Sequence, residues 1–226
     1  MKRINTPDLI LTLIFLICSC ILYYFILTAG GTLLTATSYA AIVLCFLYSL
    51  IQKSSKFIIG GLACTLGADF FLVVCSPIQQ LWGMVFFLGA QLLYATMLHT
   101  SHPGKILLLF RLGLIAVAEA ITFAILKDNT DALALISVCY YVNLLVNIVI
   151  AFFQFRTYNL FAFALVFFLL CDTVIGLQVM ANGYLPIPET SALHSIIFAP
   201  FNLAWLFYLP SQVLIAISSR KKQPLN

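Results

Sequence analysis

Charged residues are scarce in this chain. Only 8% of its 226 residues are Asp, Glu, Lys or Arg, whereas soluble domains carry about 25%. Hydrophobic residues make up 63% of the chain, and the mean hydropathy is +1.11. This composition excludes a soluble globular domain and predicts an integral membrane protein. The net charge of +4 does not indicate nucleic-acid binding, since the basic residues fall near the ends of apolar segments.

Paired cysteines and the common catalytic motifs are also missing. The seven cysteines are odd in number, form no CxxC pair and lie in apolar segments, which argues against a disulfide framework or a zinc site. No HExxH, GxSxG or P-loop motif occurs. We therefore expect neither a metal ion nor a cofactor. Any catalytic chemistry would come from isolated polar residues inside the apolar segments.

Long loops are absent as well, because apolar segments follow one another with short turns between them. Eight segments have about the length that a bilayer-spanning helix needs, and they lie at residues 9–28, 32–51, 56–75, 81–98, 106–126, 132–153, 159–180 and 194–218. The sequence thus predicts an all-α, polytopic transmembrane helix bundle that forms one domain over residues 1–226. Spans three and seven run in the same direction, which suggests two four-helix halves, residues 1–104 and 105–226, as an internal repeat.

Basic residues are unevenly distributed between the two sides of these spans. With eight spans both termini lie on one side, and that side collects every lysine and arginine except Lys127. This excess predicts cytoplasmic termini and, in a bacterium, a location in the inner membrane. The basic residues on that side are Lys2, Arg3, Lys53, Lys56, Lys105, Arg111, Arg156, Arg220, Lys221 and Lys222.

Two aspartates stand out inside the apolar segments. Asp69 lies in GGLACTLGADFFLVV, residues 60–74, and Asp172 lies in a second apolar run, residues 161–177. Each is about thirteen residues into its span, so the two are expected at matched depth. A carboxyl group inside a bilayer needs a partner, a proton or a water-filled cavity. If the two share a cavity, one can act as an acid and the other as a base; the alternative is that both are structural, hydrogen bonded to neighbouring helices.

Other polar residues form short stripes along single helical faces. Such stripes either line a cavity for a substrate or pack against neighbouring helices, and both interpretations stay open. Glu119 is a third acid, in span five, with the same two interpretations. The stripes comprise Gln91 and Tyr94 in span four, Asn143 and Asn147 in span six, and Asn202, Trp205, Tyr208 and Gln212 in span eight.

Four sequence blocks resemble the YhhN-like, lysoplasmalogenase family of membrane proteins. They are GLACTLGAD at 61–69, like the family's Gly-Leu…Ser…Gly-Asp; GMVFFLGAQLLY at 83–94, like its Gly…Phe…Ala-His…Tyr; FLLCD at 168–172, like its Phe…Ser-Asp; and YLPSQ at 208–212, like its Tyr-Tyr…Gln. The chain departs from this pattern at Thr65 and Cys171, which replace serines, and at Gln91, which replaces a histidine. A family Lys-Pro in span two has no counterpart, since residues 35–38 read TATS.

The resemblance implies a hydrolase that cleaves the vinyl-ether bond of lysoplasmalogens, with an ethanolamine or choline headgroup, to a fatty aldehyde and a glycerophospho-headgroup. Its partners would be a lysophospholipid substrate and membrane lipid, with no metal ion, no nucleic acid and an undetermined oligomeric state. Two alternatives are a relative that binds a lysolipid without cleaving it, and a small proton-coupled transporter. The expected catalytic residues are Asp69 and Asp172, and the expected substrate-binding residues are Gln91, Tyr94, Asn202, Tyr208 and Gln212.

Overall fold

The computed structural model of the protein describes residues 6–101, 105–183, 187–188, 190–199 and 201–218. Within these ranges the chain forms α-helices and no strand, which confirms the predicted all-α bundle. A π-helical turn, Phe70–Val74, continues α3, and a 3-10 turn, Lys127–Asn129, follows α5. The α-helices are α1 (Thr6–Thr28), α2 (Gly31–Ile51), α3 (Lys56–Asp69), α4 (Gln80–Ser101), α5 (Lys105–Leu126), α6 (Ala132–Phe153), α7 (Phe155–Gly183), α8 (Ala192–Ile197) and α9 (Leu203–Ser218).

The first seven helices are long and apolar enough to cross a membrane, with the π-helical turn included in the third. The protein is therefore an integral membrane protein, as predicted. These helices coincide closely with predicted spans one to seven. The largest difference lies at the start of α7, which begins at Phe155 rather than residue 159, and there Tyr158 departs from helical backbone angles (φ −121°, ψ 30°).

The eighth predicted span, residues 194–218, is two helices rather than one. The short α8 ends at Ile197 and α9 begins at Leu203. With 16 residues, α9 is shorter than the roughly 20 residues that a bilayer crossing requires. Asn202 caps α9, because its side-chain oxygen accepts a hydrogen bond from the Trp205 N–H at 3.3 Å.

A proline inside α9 ties this helix to α1. Pro210 has no N–H, so it leaves the carbonyl of Leu206, four residues earlier, without its usual helical partner. The hydroxyl of Tyr23, on α1, donates a hydrogen bond to that carbonyl at 2.9 Å. The carbonyl that Pro210 leaves free thus becomes an attachment point between the first and last helices.

The helices of the two predicted halves pack across one another. The most extensive contact is that of α7 with α9, followed by α3 with α4 and α4 with α6. A close approach of α3 and α4 depends on Gly61, where a Cβ would lie 2.2 Å from Cε1 of Tyr94. Because α4 packs on α6 and α2 packs on α9, the helices form a continuous bundle, and the internal repeat stays a prediction.

One of the basic residues used to predict the orientation is not at the surface. Lys53, Lys56, Lys105 and Arg156 are exposed near helix ends, but Arg111 is only 7% exposed. Arg111 therefore lies inside the bundle, and its assignment to the cytoplasmic side stays a prediction. Of the other residues in that prediction, Lys2, Arg3, Arg220, Lys221 and Lys222 lie outside the described residues, and the orientation remains a prediction.

Candidate functional site

Asp69 is the last residue of α3, and a π-helical turn follows it directly. Such turns are rare and occur frequently at functional sites. The side chain of Asp69 is 2% exposed. Its carboxyl group accepts a hydrogen bond from the hydroxyl of Tyr208, on α9, at 2.7 Å. The bond joins two of the predicted site residues that lie 139 positions apart in the sequence.

Asp172 is held in a similar way on α7. Its carboxyl group accepts a hydrogen bond from the hydroxyl of Tyr140, on α6. Tyr140 is buried, whereas Asp172 itself is partly exposed. The next polar side chain along α7, Thr173, bonds to Tyr141 at 2.9 Å, so neighbouring hydrogen bonds hold this part of α7 against α6.

The two carboxyl–tyrosine pairs share one aromatic core. The rings of Tyr208 and Tyr140 both contact Phe87, at centroid distances of 6.2 Å and 6.0 Å. Both also contact Phe168, at 5.7 Å and 6.4 Å. Through Tyr208 and Tyr140, Asp69 and Asp172 are both attached to the same pair of phenylalanine rings. Two acids that are about a hundred residues apart in the sequence are therefore neighbours inside the bundle.

A cavity shared by the two aspartates stays a prediction. An open groove of about 420 Å³ lies elsewhere, between α1 and α2, and its lining is apolar. Residues of this lining include Cys18 and Leu47, and neither aspartate belongs to it. Cys171, which the sequence places beside Asp172, is buried and interacts electrostatically with both acids.

The predicted substrate-binding residues have different surroundings. Tyr208 contacts Asp69 directly, whereas Asn202 caps α9. Tyr94 is buried against Gly61 and against the ring of Phe161, at a centroid distance of 5.2 Å. The structure thus brings one of these residues to a carboxyl group and gives two of them clear packing or capping contacts. Binding of substrate by any of them remains a prediction.

Gln212, a turn beyond Tyr208 on α9, is also buried. Its side-chain N–H donates to the hydroxyl of Ser211 at 3.1 Å. Its carbonyl oxygen is buried without a hydrogen-bond partner among the described residues. Gln212 therefore offers a free acceptor in the interior of the bundle, one helical turn from the partner of Asp69.

A second polar cluster connects α4, α5 and α6. The guanidinium of Arg111 donates to the side-chain oxygens of Asn143 at 2.7 Å and of Asn147 at 2.9 Å. Asn147 in turn donates from its side-chain nitrogen to Gln91, both to the backbone carbonyl at 2.9 Å and to Oε1 at 3.0 Å. The asparagine pair predicted from its i, i+4 spacing thus faces the interior, and Gln91 belongs to its network.

Sequence reasoning missed two members of these clusters, Tyr140 and Arg111. Tyr140 has a signal that would have found it, because it precedes Asn143 and Asn147 by three and seven residues on the same helical face. Arg111 was counted among the basic residues that set the topology, and its contacts with Asn143 and Asn147 were not predicted. Glu119, the third acid, is partly exposed on α5, and its Oε2 has no hydrogen-bond partner among the described residues.

Among the described residues no group of three or more His, Cys, Asp or Glu side chains is arranged to hold a metal ion.

Comparison with known proteins places the chain in a family. No curated protein and no solved structure matches the chain. The model of the YhhN family matches residues 32–219, a range that includes both aspartates, both tyrosine partners and Arg111. The chain therefore belongs to the YhhN family.

Proposed function

We propose that this protein is an intramembrane hydrolase that cleaves the vinyl-ether bond of lysoplasmalogens. The observation that carries the proposal is the pair of carboxyl groups, Asp69 and Asp172, each bonded to a tyrosine of one aromatic core. Membership in the YhhN family supports the same reaction. A substrate with a single hydrocarbon chain suits a site inside a bundle of apolar helices, because it enters from the surrounding lipid.

The chemistry needs one acid and one base. In the first step a carboxylic acid transfers its proton to the alkenyl carbon remote from the ether oxygen. The positive charge then rests on the other alkenyl carbon and the oxygen as an oxocarbenium ion. In the second step water adds to that carbon and loses a proton to a carboxylate. In the hemiacetal the bond between this carbon and the glycerol oxygen then breaks. The hemiacetal hydroxyl loses its proton to the carboxylate of Asp69, and the protonated Asp172 gives its proton to the glycerol oxygen, which releases the aldehyde, leaves a hydroxyl on the glycerol unit and restores both acids to their starting states.

We assign the two roles from the exposure of the two side chains. Asp69 is the more deeply buried, and an apolar environment accommodates the neutral acid at lower cost than the anion, so Asp69 is the proton donor. Asp172 is the less buried of the two residues, and we assign it the role of the carboxylate that activates water. As a carboxylate it also stabilises the cation that forms beside it.

The tyrosines hold these acids in position. Tyr208 and Tyr140 each use their hydroxyl to fix one carboxyl group, and Phe87 and Phe168 fix both tyrosine rings. Positioning of this kind matters because a shift of about 1 Å at a reacting group can reduce a rate about 100-fold. The aromatic core also keeps bulk water away from the oxocarbenium ion.

The test is release of aldehyde by the purified full-length protein. Incubation with lysoplasmenyl-ethanolamine or lysoplasmenyl-choline in detergent micelles should release free fatty aldehyde. The matching alkyl-ether lysolipid should release none, because it has no double bond to protonate. In D₂O the aldehyde should carry one deuterium on the carbon next to the carbonyl, which reports the protonation step directly.

Two results would contradict the proposal. Absence of aldehyde from both headgroup classes would favour a lysolipid-binding relative that does not cleave. Proton-coupled uptake of a solute by vesicles that contain the protein, without aldehyde release, would favour a transporter that uses the aspartates as a proton relay.

A further inference from the structure

We propose that Arg111 and Gln91 bind the phosphate of a lysophospholipid headgroup. This inference rests on the proposed function, since it names the part of the substrate that a second polar cluster of the same bundle recognises. The cluster consists of Arg111 on α5, Asn143 and Asn147 on α6 and Gln91 on α4, and we call it the arginine cluster. Hydrogen bonds of 2.7–3.0 Å connect its members.

Arg111 is a buried cation whose hydrogen-bond partners are neutral. It is 7% exposed, and both of its bonds go to asparagine oxygens. Among the described residues no carboxylate pairs with it. A buried charge without an opposite charge is costly, and charged residues within membrane helices commonly mark a substrate path. An anionic ligand would supply the missing charge.

Gln91 provides an independent reason to expect an acceptor at this place. The side chain is completely buried, and its Oε1 is already occupied by Asn147. Its Nε2, which can only donate, has no partner among the described residues. Leaving such a buried group unpaired is unfavourable. Phosphate oxygens accept hydrogen bonds from both guanidinium and amide groups, so one phosphate could satisfy Arg111 and Gln91 together.

The spacing of the arginine cluster and Tyr140 along α6 suits the length of the substrate. Tyr140, the partner of Asp172, shares a face of α6 with Asn143 and Asn147. These asparagines are three and seven residues further along, which corresponds to about 5 and 10 Å of helix rise. In a lysoplasmalogen the vinyl-ether oxygen and the phosphorus are separated by five single bonds, or about 6 Å when extended. A phosphate at the arginine cluster therefore leaves the vinyl ether near the carboxyl groups.

The competing explanation is structural. The main contact of α5 is with α6, and Arg111 could serve only to attach one helix to the other. If Arg111 is purely structural, replacing it should impair the reaction of all substrates alike. If it binds phosphate, replacing it should impair only the reaction of substrates that contain phosphate, and this difference decides between the two explanations.

The experiment compares lysoplasmenyl-ethanolamine with 1-alkenylglycerol, which has the same vinyl ether and chain but no phosphate. For Arg111→Gln, the KM for the phosphate-containing substrate should rise about 10- to 100-fold, the range expected for lost hydrogen bonds to a charged group, whereas the KM for alkenylglycerol should not change. Arg111→Lys should recover part of the loss. Lys105→Gln removes an exposed cation from the same helix and should leave both substrates unaffected. An equal loss for both substrates, or no change for either, would overturn the proposal.

A binding measurement separates this proposal from the proposed hydrolysis. If the wild type releases no aldehyde, tryptophan fluorescence in micelles can still compare lysophosphatidylethanolamine with monoacylglycerol. The wild type should bind the phosphate-containing lipid more tightly, and Arg111→Gln should remove that preference. Equal binding of the two lipids by the wild type would refute headgroup recognition. Displacement of the lysolipid by millimolar inorganic phosphate as effectively as by the lipid itself would assign the site to free phosphate and refute it as well.

Discussion

Replacing either aspartate by asparagine should abolish aldehyde release while leaving the bundle folded. Asparagine has nearly the same shape as aspartate, and its side-chain oxygen can still accept the hydrogen bond that Tyr208 gives Asp69 at 2.7 Å. What Asp69→Asn and Asp172→Asn remove is the proton and the charge. Loss of a general acid or base lowers a rate about 10²- to 10⁴-fold. Asp172→Asn should fall at the upper end, because that carboxylate would also stabilise the oxocarbenium ion.

The effect of these variants on stability is smaller than their effect on rate. The new amide nitrogen at position 69 would have to find an acceptor in a buried site, and an unpaired group costs about 1–3 kcal/mol. A stability of about 5–15 kcal/mol would absorb that loss. We therefore expect Asp69→Asn to purify as a monodisperse protein with a lowered melting temperature.

The assay must separate lost chemistry from lost protein. Aldehyde release is measured per mole of monodisperse protein after size-exclusion chromatography, with Glu119→Gln as the matched control because Glu119 contacts neither acid. The control should keep wild-type activity. If either asparagine variant retains more than about a tenth of the wild-type rate, a smaller loss than an essential acid or base produces, that residue is not catalytic.

Three further predictions concern packing and orientation. Gly61→Ala should lower the free energy of unfolding by about 1–3 kcal/mol in thermal unfolding, because the new Cβ would lie 2.2 Å from Tyr94. Gly113→Ala is the control, since open space surrounds that position, and it should leave stability unchanged. Equal effects of the two substitutions would contradict the close approach of α3 and α4. Tyr23→Phe should lower the free energy of unfolding by about 1–3 kcal/mol, because the Leu206 carbonyl loses its hydrogen-bond partner. In a Pro210→Ala background the backbone N–H at position 210 is restored, so Tyr23→Phe should cost less there. An equal loss in the two backgrounds would refute this account. Green fluorescent protein fused to Asn226 should fluoresce, whereas active alkaline phosphatase there would overturn the predicted cytoplasmic termini.

The helical spans were readily predicted from the sequence because their signal is local. A run of about 20 apolar residues has few alternatives to a membrane helix, and seven of the predicted spans appear at nearly the predicted positions. The division of the eighth span into two helices was harder to predict, because residues 194–218 are mostly apolar and hydropathy does not show where one helix ends and the next begins. Asn202 was the available sign, because asparagine is a preferred residue at the start of a helix.

The two acids were predicted, but only one of their two tyrosine partners was predicted. Asp69 and Asp172 are conspicuous because a carboxyl group in an apolar run is costly. Tyr208 was included in a polar stripe, and the structure bonds it to Asp69. Tyr140 was left out because a tyrosine in a membrane helix is unremarkable alone. Only the packing of α6 against α7 shows that its hydroxyl meets Asp172.

Arg111 shows why such pairings escape local reasoning. In KILLLFRLGL, residues 105–114, the arginine lies six residues into α5, or about 9 Å from the helix start. At that depth an arginine side chain can reach the membrane surface or turn inward, and the local sequence is compatible with both. The choice is made by Asn143 and Asn147, 32 and 36 residues further along, whose oxygens offer the guanidinium two bonds inside the bundle. The asparagine spacing and the isolated arginine were both visible, but their contact depends on how α5 packs against α6.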